Sequence, residues 1–495
     1  MMHPYYLALG TLLVLAWSCT PTEPVFQARF TESTELPFPI DSQQQFTFGY
    51  LEVLEDRERP QGRTIQLPVY YFKSRRTPAE PDPIIYTVGG PGASTMPSAP
   101  YMAYYPYLDD RDFILLEQRG TQYARPHLDC PEWAAAAAKI RQEQPTPAER
   151  EALQLAAAAA CKKRLLARDI DLDAYHTAAT AADIADLRRA LGFDQYNLLT
   201  LSYSTKIAQV MMRDYPEGIR SVVMDSPLPL AVSYDEESVI NLLAGLDTLL
   251  ADCEAEPACR AAFPDLGPRF RQFLVETTRR PHALSVPNAA AGTRERVAVR
   301  GRDIMAFFAD ASTAEVARLP LEMEKLLGGD WSSIEAYLAD RWRPAGLGNG
   351  QGMRLSVWCQ EEFPFVDTAV VSAETQAHPE VLVWSPAVFE APICQLWTSS
   401  RAQPRENQAV YSDIPTLLIS GEYDVETPPR WAAQMQRELS HSFHVILPKW
   451  RHGPTTNWGD PCARQLAQQF FRQPQVPPTS DCLVELEQRP FVVED

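Results

Sequence analysis

The chain has 495 residues, 45% of them hydrophobic, which is enough to bury a large core and more than one simple domain needs. Its formal net charge is −19 at pH 7, and the acidic residues are spread along the chain rather than gathered in a tail. Because so acidic a protein repels phosphate backbones, nucleic acid is excluded as an expected partner.

The N-terminus has the pattern of an export signal. Residues 5–17 are mostly apolar, but this run is shorter than the roughly 18 apolar residues that a membrane-spanning helix needs. Its length is typical of the apolar part of a signal peptide, so residues 1–18 are expected to be removed. Ser18-Cys19 ends a segment that resembles a bacterial lipobox, and we predict that Cys19 carries a lipid that anchors the protein to a membrane surface. The alternative is an ordinary signal peptide cleaved nearby, and either route exports the protein to the cell envelope, the periplasm or the medium.

The other eight cysteines indicate disulfides. An even number in an exported chain is typical of a disulfide framework, whereas free buried cysteines fit a cytosolic protein better. We favour pairing between sequence neighbours, because short loops keep each pair local. The predicted pairs are Cys130–Cys161, Cys253–Cys259, Cys359–Cys394 and Cys462–Cys482. A zinc site is disfavoured because the chain has no Cys-x-x-Cys and no His at ligand spacing, and no metal or cofactor is expected.

Short apolar strands alternate with helices in the first half of the chain. Strands are predicted over 65–72, 84–88, 113–116, 196–199 and 222–224, and helices over 131–167, 180–191 and 205–215. In the helix over 180–191, Ile184, Leu187 and Leu191 share one face, and Gly192 ends it. This alternation predicts an α/β fold with a mostly parallel, doubly wound sheet and helices on both faces.

The alternation stops after residue 229 and resumes with a strand over 416–420, a helix over 430–439 and a strand over 443–447. The segment between is expected to be helical and irregular. We therefore predict a sheet domain in two parts, 25–230 and 386–495, interrupted by a helical cap over 231–385. An insertion between core strands is well placed to act as a lid.

A candidate nucleophile lies where a predicted strand meets a predicted helix. Residues 200–204 (TLSYS) are similar to the nucleophile elbow G-x-S-x-G, in which a sharp turn lifts the serine Oγ above the sheet. Thr200 and Ser204 replace the two glycines, but both are small enough to allow the turn. Ser202 is the candidate nucleophile. The alternative is a plain strand followed by a Ser-rich helix start.

A glycine-rich turn at 89–92 (GGPG) follows an earlier strand. Backbone N–H groups in such a turn can face a developing oxyanion, and we predict that Gly90 and Tyr203 supply them. The alternative is an ordinary turn. A phosphate loop is disfavoured because no Gly-Lys-Ser/Thr follows.

An acid and a base follow the last two predicted strands. Asp424 ends the segment 421–424 (GEYD), and His452 lies in 451–454 (RHGP). The order Ser, Asp, His is that of an α/β-hydrolase, in which the acid orients the imidazole and the imidazole takes the serine proton. The alternatives are a helix-capping Asp and a structural His. Four such signals in the expected order, each at a strand end, rarely coincide by chance.

Further short motifs lie along the chain at 49–51 (GYL), 55–57 (EDR), 88–94 (VGGPGAS), 117–121 (EQRGT), 213–220 (RDYPEGIR), 224–227 (MDSP), 420–424 (SGEYD), 427–429 (TPP) and 452–453 (HG). In these stretches the chain resembles the tripeptidyl-aminopeptidase and prolyl-aminopeptidase-like family of α/β-hydrolase serine peptidases. The resemblance implies a Ser202, Asp424 and His452 triad that releases short peptides or single residues from free N-termini through an acyl-enzyme. This chain departs from the family at the elbow, which is more often Gly-x-Ser-Tyr-Gly, and at Glu117, where Asp is commoner.

A substrate with a free N-terminus needs an anionic group to bind its ammonium. Glu361 and Glu362 lie in the predicted cap beside Cys359, and we predict that one of them does so. The alternative is a solvated helix face. Two other functions stay open: a carboxylesterase or lipase with the same triad, and an envelope binding protein that kept the fold and lost efficient chemistry.

Overall fold

The structure is a computed structural model that describes residues 26–143, 145–288, 291–340, 350–384, 391–398 and 402–494. The predicted signal segment 1–18 and the predicted lipidation site Cys19 lie outside the described residues. No helix within these ranges is long and apolar enough to cross a bilayer.

Nine strands in the described part of the chain form one sheet, in the order β1-β2-β3-β5-β4-β6-β7-β10-β11. The first three strands pair antiparallel, and the six from β5 to β11 run parallel. The bounds are β1 (Arg29–Glu32), β2 (Phe46–Leu54), β3 (Thr64–Phe72), β4 (Glu80–Thr87), β5 (Arg111–Leu116), β6 (Tyr196–Leu201), β7 (Ile219–Asp225), β10 (Thr416–Gly421) and β11 (Ser442–Leu447). The predicted mostly parallel sheet is confirmed.

The central strands are apolar throughout because both faces of the sheet are covered. Alternate residues of one strand face opposite layers, so Ile85 packs in one core cluster while Ile84 and Tyr86 pack in the other. Leu198 and Leu199 divide between the same two clusters. This double burial holds the strand ends, and the loops that follow them, in place.

The helices before the insertion are α1 (Pro131–Glu143), α2 (Pro147–Leu166), α3 (Thr177–Leu191) and α4 (Ser204–Asp214). The single helical stretch expected over 131–167 is therefore two helices. Thr146 caps α2 by a reciprocal pair of hydrogen bonds with Glu149, and Pro147 favours a helix start. Gly192, with φ of 74°, ends α3 as predicted.

The chain between β7 and β10, referred to below as the cap, supplies most of a further apolar cluster that includes Leu246, Phe270 and Ile304. Tyr423 and Phe491, which follow β10, pack in the same cluster. The helices of the cap are α5 (Tyr234–Ala255), α6 (Pro257–Ala262), α7 (Leu266–Arg279), α8 (Gly301–Asp310), α9 (Leu319–Leu327), α10 (Ser332–Asp340), α11 (Gln351–Val357), α12 (Thr368–Ala377) and α13 (Ala391–Trp397). It also contains an antiparallel hairpin of β8 (His282–Asn288) and β9 (Thr293–Val299), which no sequence pattern predicted. Helices α14 (Pro429–Glu438), α15 (Cys462–Arg472) and α16 (Cys482–Glu487) complete the fold.

All four predicted disulfides are present. Their Cα–Cα distances are 5.4 Å for Cys130–Cys161, 5.2 Å for Cys253–Cys259, 4.9 Å for Cys359–Cys394 and 5.9 Å for Cys462–Cys482. The first joins the residue before α1 to α2, and the last joins α15 to α16. Four disulfides are typical of a protein exported to an oxidising compartment.

The stabilisation from each disulfide is expected to grow with the length of the loop that it closes. The double change Cys130→Ala and Cys161→Ala opens a loop of 31 residues and should lower the free energy of unfolding by about 4 kcal/mol. The matched pair Cys253→Ala and Cys259→Ala opens a loop of only 6 residues and should cost about 2 kcal/mol. Urea denaturation of the three proteins measures both values. A larger loss for the shorter loop would contradict the expectation.

Candidate active site

The candidate nucleophile lies on a strained turn between β6 and α4. Ser202 has φ of 57°, in the left-handed region that a non-glycine residue rarely adopts. Its N–H donates to the carbonyl of Asp225 at the end of β7, with an N–O distance of 2.8 Å. The chain then turns directly into α4, where Thr205 N–H donates to the Ser202 carbonyl. This is the strand–turn–helix geometry of a nucleophile elbow.

The two residues that replace the usual elbow glycines are accommodated by hydrogen bonds. Thr200 is buried, and its Oγ1 donates to the carbonyl of Val223 on β7 at 3.3 Å. Ser204 is also buried, and its Oγ donates to the carbonyl of Thr87 on β4 at 2.7 Å. Both hydroxyls therefore join the elbow to neighbouring strands, so the turn forms without glycine at either position.

The glycine-rich loop packs directly against this elbow. A Cβ on Gly89 would lie 2.7 Å from Ser202 Cβ and 3.0 Å from Tyr203 N, so only glycine allows this close approach. Gly90 has φ of 115°, a conformation that side-chain-bearing residues avoid. Among the described residues, neither Gly90 N–H nor Tyr203 N–H donates a hydrogen bond to the protein. Both donors are available beside Ser202, in keeping with the predicted oxyanion hole.

Asp424 and His452 lie together at the ends of β10 and β11. His452 Nδ1 is 2.8 Å from Asp424 Oδ2. Asp424 is buried and also accepts hydrogen bonds from Glu426 N, Thr427 N and Thr427 Oγ1. Burial alone would raise the pKa of Asp424, but His452 and the Thr427 donors outweigh burial and lower it. Asp424 therefore stays ionised beside the imidazole.

The carboxylates around His452 favour its charged form. Burial would lower the pKa of His452, but the carboxylates of Asp424 and Glu426 outweigh burial and raise it to about 10. The Asp225 carboxylate at the end of β7 acts in the same direction. In the described residues, Ser202 Oγ makes no hydrogen bond to His452, and His452 Nε2 lies 3.9 Å from Glu426 Oε2 instead. Catalytic hydrogen bonds are often long before substrate arrives.

A cavity of about 580 Å³ opens beside His452, between the core and the cap. Glu426, Trp458 and His452 line it from the core, and Asp310 and Thr313 line it from the cap. No sequence motif indicated Glu426, although its position two residues after Asp424 was a usable signal. Within the described ranges, no group of three or more His, Cys, Asp or Glu side chains could hold a metal ion.

Glu361 and Glu362 lie behind the elbow rather than on a solvated face. Both are buried in a π-helical turn that follows α11. Glu361 accepts hydrogen bonds from Thr177 N–H, at 2.5 Å, and from Thr177 Oγ1, which also bonds Tyr203 Oη. Glu362 forms an ion pair with the buried Lys206 of α4. Burial raises the pKa of Glu361 to about 8, although Thr177 opposes the rise.

Arg354 is a cationic side chain near the site that no sequence signal indicated. It lies on α11 of the cap, and its Nη1 donates to the carbonyl of Gly90 at 3.3 Å. A Cβ on Gly350, just before α11, would meet the Gly92 carbonyl at 2.7 Å. The start of α11 therefore packs on the glycine-rich loop, and this contact couples the cap to the candidate oxyanion hole.

The strand order, with the candidate residues after β6, β10 and β11, defines an α/β-hydrolase, and the protein is a serine hydrolase of that fold. The family model for TAP-like proteins matches residues 380–482. The serine protease Hip1 of Mycobacterium tuberculosis is 22% identical over 432 residues, which cover 80% of this chain and 79% of that protein. The tripeptidyl aminopeptidase of Streptomyces coelicolor is 24% identical over 447 residues, covering 82% and 76%.

Among solved structures, the proline iminopeptidase of Mycobacterium smegmatis is similar over 83% of this chain and 96% of its own, with 16% identity and a TM-score of 0.38. The resemblance to aminopeptidase-like α/β-hydrolases that the sequence indicated is confirmed by the family model and the curated relatives.

Proposed function

We propose that the protein is an exopeptidase that releases short peptides or single residues from free N-termini, with Ser202, Asp424 and His452 as its triad. The observation that carries the triad is the 2.8 Å contact between His452 Nδ1 and the buried Asp424, at strand ends close to an elbow that presents Ser202. The names of the relatives, a serine protease and a tripeptidyl aminopeptidase, support peptides as the substrate class.

The proposed reaction runs through an acyl-enzyme. His452 takes the proton from Ser202 Oγ as the oxygen attacks the scissile carbonyl, and Asp424 stabilises the imidazolium. The N–H groups of Gly90 and Tyr203 donate to the oxyanion as it forms. His452 then gives its proton to the leaving amine, and water hydrolyses the acyl-enzyme by the same steps.

A carboxylesterase or lipase would use the same groups, so the substrate class needs its own experiment. We expect peptides with a free N-terminus to be hydrolysed with a higher kcat/KM than p-nitrophenyl esters of similar size. Acetylation of the peptide N-terminus should abolish cleavage, because it removes the ammonium. If esters or blocked peptides are turned over better, the exopeptidase proposal is wrong while the serine hydrolase remains.

Glu361 or Glu362 is proposed to bind the substrate ammonium. An arriving ammonium would share Glu361 with Thr177 or Glu362 with Lys206, because both carboxylates already have protein partners. Both lie close behind Tyr203, the residue after the nucleophile. The competing interpretation is a purely structural role, in which the two glutamates anchor the cap to α3 and α4.

Substitution of these glutamates separates the two interpretations. We expect Glu362→Gln, or Glu361→Gln above the pKa of about 8 at which that carboxyl ionises, to raise the KM for a free peptide by at least about tenfold, because a charge-assisted hydrogen bond is lost. The change should leave the KM for an ester without an ammonium unaltered, which makes that ester the control substrate. Equal KM values for wild type and both variants on the free peptide would assign the pair a structural role only.

The same proposal extends to location. Four disulfides support export, and lipidation of Cys19 would supply the membrane contact. Mass spectrometry of the mature N-terminus distinguishes a lipid-modified Cys19 from simple cleavage.

A further inference from the structure

The end of β7 contacts the loops that carry both the nucleophile and the base. Asp225 is the last residue of β7, and Ser226 follows it; neither is accessible to solvent. The carbonyl of Asp225 accepts the Ser202 N–H at 2.8 Å, which ties the elbow to this point. Ser226 N–H donates to the carbonyl of Ile419 on β10 at 2.8 Å, which ties the same point to the strand that precedes Asp424.

Two side chains at this point bind the loop that carries His452. Ser226 Oγ accepts the N–H of Gly453, the residue after the base, at 2.8 Å. Asp225 Oδ2 accepts the N–H of Thr455 at 2.7 Å and its Oγ1 at 2.5 Å. Ser226 Oγ also donates to Asp225 Oδ1 at 3.3 Å. The buried residues Asp225 and Ser226 therefore bind Thr455 and Gly453, which follow the base His452 by three positions and one position.

The backbone at Ser226 is strained. Its φ is 52°, in the left-handed region where glycine is favoured and a side chain costs conformational energy. A glycine would relieve this strain but would lose the Oγ that accepts Gly453 N–H. Serine therefore occupies this position against the local backbone preference, and its hydroxyl makes the contact to the His452 loop.

We propose that Ser226 Oγ and the Asp225 carboxylate are positioning groups that hold the His452 loop in register with the Ser202 elbow. They touch no reacting atom and act through His452, and the proposal rests on the triad of the proposed function. At neutral pH the carboxylate form is available as acceptor. Burial raises the pKa of Asp225 to about 6, while the Thr455 hydrogen bonds and His452 oppose the rise.

The variant Ser226→Gly tests the proposal because kcat should fall while stability changes little. We expect kcat to fall about tenfold or more with KM little changed, since a small displacement of a catalytic group costs rate rather than binding. The midpoint of urea unfolding should stay close to that of wild type, because relief of the positive-φ strain offsets the lost hydrogen bonds of the Ser226 hydroxyl. The control is Asp169→Gly, an exposed residue with φ of 57° outside the site, which should keep wild-type kcat. A wild-type kcat in folded Ser226→Gly would overturn the proposal.

Thr455 provides an independent pair of variants. Thr455→Val removes the hydroxyl that donates to Asp225 and should lower kcat, whereas Thr455→Ser keeps the hydroxyl and should restore most of it. Equal kcat for the two variants would count against the proposal. If only the positioning proposal is wrong, hydrolysis will still depend on Ser202. If hydrolysis does not depend on Ser202, the proposed function itself is wrong.

Discussion

Ser202→Ala is expected to reduce kcat for peptide hydrolysis by on the order of 10⁵–10⁶-fold, to the level that binding and oxyanion donors supply alone. Alanine lacks the hydroxyl that attacks the carbonyl, while the elbow contacts of Ser202 are made by its backbone N–H and carbonyl and should persist. The fold should therefore be unchanged, and the loss should be confined to chemistry.

Fluorophosphonate labelling tests whether Ser202 is the activated nucleophile, because the reagent modifies only an activated serine. Wild type should be labelled and Ser202→Ala should not. Ser312→Ala, a serine in the wall of the cavity beside His452, is the matched control and should be labelled like wild type. If folded wild type is not labelled, the elbow with Thr200 and Ser204 is not catalytic, and an envelope binding protein becomes the better interpretation.

Asp424→Asn is expected to lower kcat by about 10⁴-fold with a much smaller effect on KM. Asparagine has nearly the same shape, but its neutral amide neither stabilises the imidazolium nor selects the tautomer of His452 that accepts the serine proton. The buried Asp424 is the first of the charges that raise the pKa of His452 against the effect of burial. Removing it should therefore lower that pKa.

The pH profile checks the sign of this effect. His452 must be neutral to act as a base, so wild-type kcat/KM should rise with pH. The midpoint of this rise should lie above the pKa of a free imidazole, near 6.5. Glu426→Gln removes the carboxylate near Nε2 and leaves the Asp424 contact intact, so it should move the midpoint to lower pH with kcat largely kept. An Asp424→Asn variant that retains kcat within tenfold of wild type would exclude Asp424 as the triad acid.

Local sequence patterns predicted the elements that are buried on both faces. The strands β4, β6 and β10 were visible as short apolar runs because helices cover both sides of the sheet. The hairpin β8–β9 was missed because only three of its fourteen residues are buried, so its sequence lacks a clear apolar alternation. The break between α1 and α2 was missed because alanine-rich sequence favours helix on either side of it, while the Thr146 cap decides where the second helix begins.

The sequence by itself determined the chain order and strand-end positions of the candidate triad residues Ser202, Asp424 and His452, because residues at strand ends follow the chain order of the strands. It favoured the disulfide pairs that the structure contains, since each joins neighbouring cysteines. Only the tertiary structure decided which of them form and which side chains surround the candidate triad. Glu361 meets Thr177 across 184 residues, and Gly453 meets Ser226 across 227. Contacts between residues so far apart in the sequence depend on how the sheet and cap pack, and no local periodicity encodes them.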